Sequence, residues 1–250
     1  MEEPSPAPAG KPPVALVVGA GDALGGAIAR RFAREDYVAA VARRTAEKLT
    51  GLVDAIAREG GRAVPFAVDA RREKEMVELF ANIERDVGPV EVAVFNIGGN
   101  VRFGIAETTS RVYTKVWEMA AFAGFLTGRE AAKVMLPRGR GTILFTGATA
   151  SLRGGAGFSA FAGAKHALRA LAQSMARELG PKNIHVAHVV IDGAIDTEFI
   201  RAQFPERYAL KAEDGILNPD HIAESYWNLH RQPRTAWTFE LDLRPYREPW

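Results

Sequence analysis

Lys165 lies four residues after Phe161 in the run Ser159-Ala160-Phe161-Ala162-Gly163-Ala164-Lys165. On a helix, that spacing puts ring and ammonium on one face. A phenol at the first position would have its pKa drawn down from about 10 by the cation and could hand a proton to a carbonyl. Phe161 keeps the ring and carries no such proton. A second group of residues begins where the apolar run Val14-Ala15-Leu16-Val17-Val18 enters Gly19-Ala20-Gly21-Asp22-Ala23-Leu24-Gly25-Gly26. A strand-to-helix corner with few side chains lets a pyrophosphate approach the helix N–H groups, where the macrodipole favours negative charge. Gly19, Gly21, Asp22, Leu24 and Gly25 are its candidate contacts. A third group closes the next apolar run, Ala42-Arg43-Arg44. NAD-selecting sites place a carboxylate there, about twenty residues after the glycines, to accept from the ribose 2′-OH. Two guanidinium groups suit the 2′-phosphate of NADP(H) instead. The alternative is a pair of solvated arginines opening a helix, but cations are misplaced at a helix N-terminus.

These groups need a scaffold, and the hydrophobic pattern supplies one. Apolar runs at 14–18, 37–42, 62–68, 91–95, 141–145 and 184–191 read as strands, and 237–243 as a last one. Between them, helical periodicity predicts helices over 23–34, 45–59, 71–86, 110–135 and 158–179, with shorter helical segments at 197–208 and 219–230. Such βαβ alternation predicts an α/β fold, a Rossmann-type doubly wound parallel sheet of about seven strands in a single domain over 14–250. Its ligand crevice lies at the carboxyl ends of the strands. Residues 1–13 hold five prolines with Ser, Ala and Gly, and are expected to form a flexible tail.

A chain of 250 residues, 47% apolar, can cover such a sheet. Thirty-two basic against thirty acidic residues leave a net charge of +2 without clustering, which disfavours nucleic acid as a partner. With no cysteine, neither disulfide nor thiolate metal site is possible. No long apolar run or leader points to a membrane or to export, so a cytoplasmic location is expected. His185 and His188, in the strand at 184–191, lack metal-ligand spacing and read as structural. His166 points about 100° away from Lys165 on the helix.

Taken together, the chain resembles the short-chain dehydrogenase/reductase family over nearly its whole length. That family's active-site signature is Tyr-x-x-x-Lys, matched here by Phe161 and Lys165. Its glycine pattern, Gly-x-x-x-Gly-x-Gly, finds Gly19 and Gly25, with Ala23 in the middle place. Asp69-Ala70 resembles its adenine-contacting segment, and Asn96-Ile97-Gly98-Gly99 its Asn-Ala-Gly turn. Asp192-Gly193-Ala194-Ile195-Asp196-Thr197 resembles the segment that holds the nicotinamide carboxamide, with Ile195 and Thr197 in place and Asp192 where the family has proline. The resemblance sets Ala148 against the family's catalytic Ser and Ala121 against its Asn. Of the four catalytic positions only Lys165 is kept, and its implied role is to hold the nicotinamide ribose. The resemblance also implies small-molecule substrates and a homodimer or homotetramer paired through the helices at 110–135 and 158–179.

Three readings follow. In the first, the protein is an NADP(H)-dependent oxidoreductase with an atypical active site, delivering hydride to a small organic substrate. Thr149 then supplies a hydrogen bond, and Tyr113 or a water beside Lys165 relays a proton. In the second it is a noncatalytic NADP(H)-binding or scaffold subunit. The third is a non-redox lyase or isomerase reusing the pocket, for which no residue speaks. Segment 197–217, with Phe199, Phe204, Tyr208 and Leu210, is expected to close over an apolar or ring-containing substrate. The end of the chain, through Trp250, is expected to lie against a neighbouring subunit.

Overall fold

The structure, a computed structural model, describes residues 10–248. Most of the expected tail and the terminal Trp250 therefore lie outside the described residues. Before the first strand, the Lys11 ammonium donates to the Arg85 carbonyl, and Pro13 O accepts from Val38 N–H at 2.9 Å.

Seven strands, β1 (Val14–Val18), β2 (Val38–Arg43), β3 (Arg62–Ala67), β4 (Val90–Phe95), β5 (Gly141–Thr146), β6 (Ile184–Ile191) and β7 (Glu240–Leu243), form one parallel sheet in the order 3-2-1-4-5-6-7. β1, β4 and β6 are buried at every residue, which is why they read as unbroken apolar runs. β3 is an edge strand, where Pro65 is tolerated because one side needs no ladder donor.

The helices are α1 (Leu24–Ala33), α2 (Thr50–Arg58), α3 (Glu73–Asn82), α4 (Ser110–Trp117), α5 (Ala123–Met135), α6 (Ser159–Leu179), α7 (Glu198–Gln203), α8 (Pro205–Ala209) and α9 (Pro219–His230). Ile28 and Phe32 of α1, Leu52 and Ile56 of α2, and Ile222 and Tyr226 of α9 pack with Val17, Val41, Val94 and Val189 on one face of the sheet. Met76 and Phe80 of α3, Leu126 of α5, and Leu168 and Ala172 of α6 pack with Leu16, Ala40, Phe95 and Phe145 on the other. At about 1.5–3 kcal/mol for each fully buried large side chain, these two layers are the main force holding the strand ends in register.

Three expected elements differ in detail. The long helix is interrupted by a π-helical turn at Glu118–Phe122, between α4 and α5. The segment at 197–208 is split by Pro205, which lacks an N–H and suits only the first turn of a new helix. The last strand begins at Glu240, because Trp237 instead stacks on His185 with ring centroids 4.8 Å apart. No described helix is long and apolar enough to cross a membrane.

Candidate active site

The strand order reverses between β1 and β4, and the crevice opens there. Gly19 sits at φ +93°, and a Cβ on it would lie 2.8 Å from the Asn96 carbonyl oxygen. A Cβ on Gly25 would lie 2.6 Å from Gly19 O, and one on Gly26 would overlap the Gly21 carbonyl. These glycines are therefore required by close backbone packing. Asn96 locks the corner by donating from Nδ2 to Gly19 O at 3.2 Å. Gly21 differs: a Cβ there meets nothing nearer than Arg43 Nη1 at 3.5 Å, so its missing side chain leaves open space. α1 is preceded by Ala23, with no side-chain cap and no acid in its first turn; Gly26 N–H already donates to Ala23 O at 3.0 Å, so an anion would meet the dipole and the N–H groups before it. Asp22 is exposed, and Leu24 turns its side chain into the core, so either would meet a phosphate only through its backbone.

From this corner a cleft of about 370 Å³ runs over the carboxyl ends of β1, β2, β3 and β4. Gly19, Arg43, Arg44, Asp69, Ala70, Asn96 and Gly98 all line it. Thr45, Lys48, Arg71 and Met119 line it as well, and sequence reasoning missed them. Lys48 follows Arg44 by one turn, a spacing that offered a signal; Arg71 and Met119 arrive from other loops and offered none. Asp69 is not a free acceptor: Arg71 clamps both its oxygens, the closest pair at 2.5 Å, and this hydrogen bonding holds the Asp69 carboxyl below the usual carboxylate range. Among the described residues no ion pair within contact distance engages Arg43, Arg44 or Lys48, so the end of β2 brings three cations to the cleft, whose lining holds one carboxylate, Asp69, acted on by both Arg71 and Arg44.

Deeper in, Lys165 is 3% exposed. Its ammonium donates to Thr146 O at 2.8 Å and Ile97 O at 3.3 Å, bridging the ends of β5 and β4. Burial alone lowers its pKa to about 8. The Phe161 ring lies with its centroid 5.9 Å from Nζ, confirming the shared helix face. Phe161, Ala148 and Ala121, drawn from α6, the turn after β5 and the π-helical turn, meet in a single apolar cluster with Val116, Ala120 and Ala164. The three residues that the family resemblance sets against Tyr, Ser and Asn are thus neighbours, and none of their side chains can donate a proton.

Thr149, on the 3-10 turn Thr149–Ser151, donates its hydroxyl to Asp192 Oδ1. Its hydrogen is thereby committed, so toward a ligand it offers lone pairs rather than a donor. Tyr113 is not brought to Lys165. Its hydroxyl lies against Gly163, 3.1 Å from where a Cβ would stand, and Gly163 is about 200° around the helix from Phe161. Ile195 bridges to Leu217, closing the neck of the segment at 197–217. Thr197 caps α7 by accepting from Ile200 N–H at 3.2 Å. Beyond the neck Phe199 and Phe204 stand 64% and 49% exposed with edge-to-face rings, and Lys211 ties the segment back to Asp196 at 2.8 Å. His188 is buried, held neutral at a pKa lowered to about 4 by burial, with Nδ1 3.0 Å from Glu240.

A doubly wound parallel sheet whose switch-point crevice carries a glycine corner defines a Rossmann-type protein. A family model described as short chain dehydrogenase matches residues 13–207, and the chain belongs to the short-chain dehydrogenase/reductase family, whose members are oxidoreductases. The 2,3-dihydro-2,3-dihydroxybenzoate dehydrogenase of Bacillus subtilis is 30% identical over 190 residues, which cover 74% of this chain and 70% of that protein. The crystal structure of a short-chain dehydrogenase from Rhodopseudomonas palustris is 49% identical with a TM-score of 0.81, covering 94% of this chain and 99% of that one. An alcohol dehydrogenase from the archaeon Thermococcus sibiricus, solved in complex with 5-hydroxy-NADP, is 26% identical with a TM-score of 0.83, covering 95% and 98%.

Proposed function

We propose that the chain is an NADP(H)-dependent oxidoreductase that delivers hydride to a small, apolar or ring-containing organic substrate from an atypical active site. The observation that carries this reading is the end of β2, where Arg43, Arg44 and Lys48 line the cleft outside any close ion pair and the one carboxylate of the lining, Asp69, is clamped by Arg71. Gly19, Gly21, Gly25 and the first turn of α1 would receive the pyrophosphate, and Asp69, Ala70, Asn96 and Gly98 would border the adenosine half. Lys165 would hold the nicotinamide ribose, and Ile195 and Thr197 the carboxamide. The bound cofactor would supply the hydride. The complex of a relative with 5-hydroxy-NADP is consistent with this assignment. Phe199 and Phe204 would form the apolar cover over the substrate.

Calorimetric titration with NADPH and NADH tests it. NADPH is expected to bind at least tenfold tighter, and Arg43→Ala with Arg44→Ala to remove that margin, since charge-assisted hydrogen bonds are worth about 1.5–3 kcal/mol each. Equal affinity for the two dinucleotides would overturn the assignment.

One observation favours a second reading. The apolar cluster of Phe161, Ala148 and Ala121 is what a noncatalytic NADP(H)-binding subunit would carry. NADPH binding without consumption against aldehydes, ketones, imines and enones would select that reading.

A further inference from the structure

Asp192 directly follows β6 and is 2% exposed, a costly place for a carboxylate unless it is well partnered. Its two oxygens have different surroundings. Oδ2 faces Arg244 at 3.3 Å and Arg153 at 3.7 Å, while Oδ1 accepts from the Thr149 hydroxyl. Arg244 is itself anchored on Asp242 at 2.7 Å. One oxygen is thus fixed by charge and the other by a hydroxyl that can pass a proton. Thr149 is half-buried, on the turn whose Ala148 and Ala150 pack on the Phe161 cluster. Thr149 is thus flanked in sequence by two residues that pack on the cluster holding Phe161, while its hydroxyl is held by Asp192.

We infer that Thr149 and Asp192 form the proton relay of this site, with Thr149 touching the substrate oxygen and Asp192 acting through it. The inference rests on the hydride-transfer reading above. In oxidation the alcohol proton passes to Thr149 Oγ as the Thr149 hydrogen moves to Asp192 Oδ1, the O–H pair becomes the carbonyl π bond, and the oxidised nicotinamide would take the C–H hydride. In reduction the transfers run the other way after Asp192 has taken a proton from water: that proton passes to Thr149 Oγ as the Thr149 hydroxyl gives its own hydrogen to the carbonyl oxygen. The reduced nicotinamide would supply the hydride for the new C–H bond, the carbonyl π pair forms the O–H bond, and Asp192 is left as a carboxylate. The geometry seen here, hydroxyl donating to carboxylate, is the state ready to take a proton from an alcohol.

The test uses full-length protein, NADPH with 2-tetralone, and NADP⁺ with 2-tetralol. Thr149→Val and Asp192→Asn are expected to lose about 10²–10⁴-fold in kcat, and Thr149→Ser to stay within tenfold. The wild-type solvent deuterium isotope effect on kcat is expected to vanish in the residual activity of Thr149→Val. A readout without cofactor or substrate is infrared difference spectroscopy: the carboxylate stretch assigned by Asp192→Asn is expected to shift in Thr149→Val. Should Asp192→Asn fail to fold, the near-isosteric Thr149→Val decides alone. Thr149→Val at wild-type rate, or an unshifted carboxylate band, overturns the relay. So does wild-type protein that binds NADPH yet turns over neither tetralin substrate. Absence of any NADPH binding heat would instead sink the hydride-transfer reading on which the relay rests.

Discussion

At position 161 a single oxygen separates a proton donor from a packing residue, and the ring sits in an apolar cluster. Phe161 is buried with Ala148 and Ala121, so a phenol oxygen there would enter apolar surroundings with Lys165 as the nearest charge on its own face. Phe161→Tyr is expected to raise 2-tetralone reduction about tenfold, most clearly on the Thr149→Val background where the proposed relay is cut. An unchanged rate in a folded, cofactor-loaded variant would show that the pocket has lost the geometry a phenol needs. Lys165 makes a separate prediction through its charge. Its pKa is lowered in the folded protein to about 8 from an unfolded value near 10.5, so between those pH values the unfolded chain binds more protons. Stability therefore gains from this group as pH rises through that window, by up to about 3 kcal/mol, and below pH 8 its contribution is flat. Urea unfolding at pH 7.5 and 10, comparing wild type with Lys165→Met, isolates it: the wild type should gain more on going to pH 10, and equal gains would refute the assignment.

At the scale of elements, the corner between β1 and α1 separates glycines that the fold requires from one that a ligand would require. Gly25→Ala would drive a methyl against Gly19 O and is expected to cost several kcal/mol in stability. Gly21→Ala meets only ordinary contacts, so stability should change by no more than about 0.5 kcal/mol while NADPH affinity falls at least tenfold. Chemical denaturation and calorimetry on the two variants would expose a wrong division, most directly if Gly21→Ala kept full affinity. This corner was legible in the sequence because an apolar run bounded by Pro13 and Gly19 leaves no latitude for β1, and burial on both faces keeps the run unbroken. The π-helical turn at Glu118–Phe122 was not, since one extra residue per turn hardly disturbs apolar periodicity over so long a helix. Arg71 in the cleft and Arg244 on Asp192 were invisible for another reason: each is brought in by the chain's path, from a loop whose position depends on the whole sheet. Tyr113 shows the same limit. Its place on a helix was readable, but the face of α6 it would meet depends on how two helices pack.

For the molecule as a whole, the cleft spans the ends of four strands, so a ligand seated there would tie both halves of the doubly wound sheet together. A ligand that binds only the folded state adds RT ln(1 + [L]/Kd) to its stability, about 2.7 kcal/mol at a concentration one hundred times Kd. For a chain of 250 residues each kcal/mol moves Tm by roughly 2–4 °C, so saturating NADPH should raise Tm by about 5–10 °C. NADH at the same concentration should raise it by about half as much or less, because it offers nothing to the positive end of β2. The discrimination is electrostatic in origin, and the NADPH increment should therefore shrink between 50 mM and 500 mM salt while the NADH increment stays nearly constant. Scanning calorimetry with the two reduced dinucleotides at both ionic strengths measures all four increments in one series. Increments that are equal for NADPH and NADH, or that ignore salt, would mean that Arg43, Arg44 and Lys48 are merely solvated surface and that the cleft does not distinguish a 2′-phosphate from a hydroxyl.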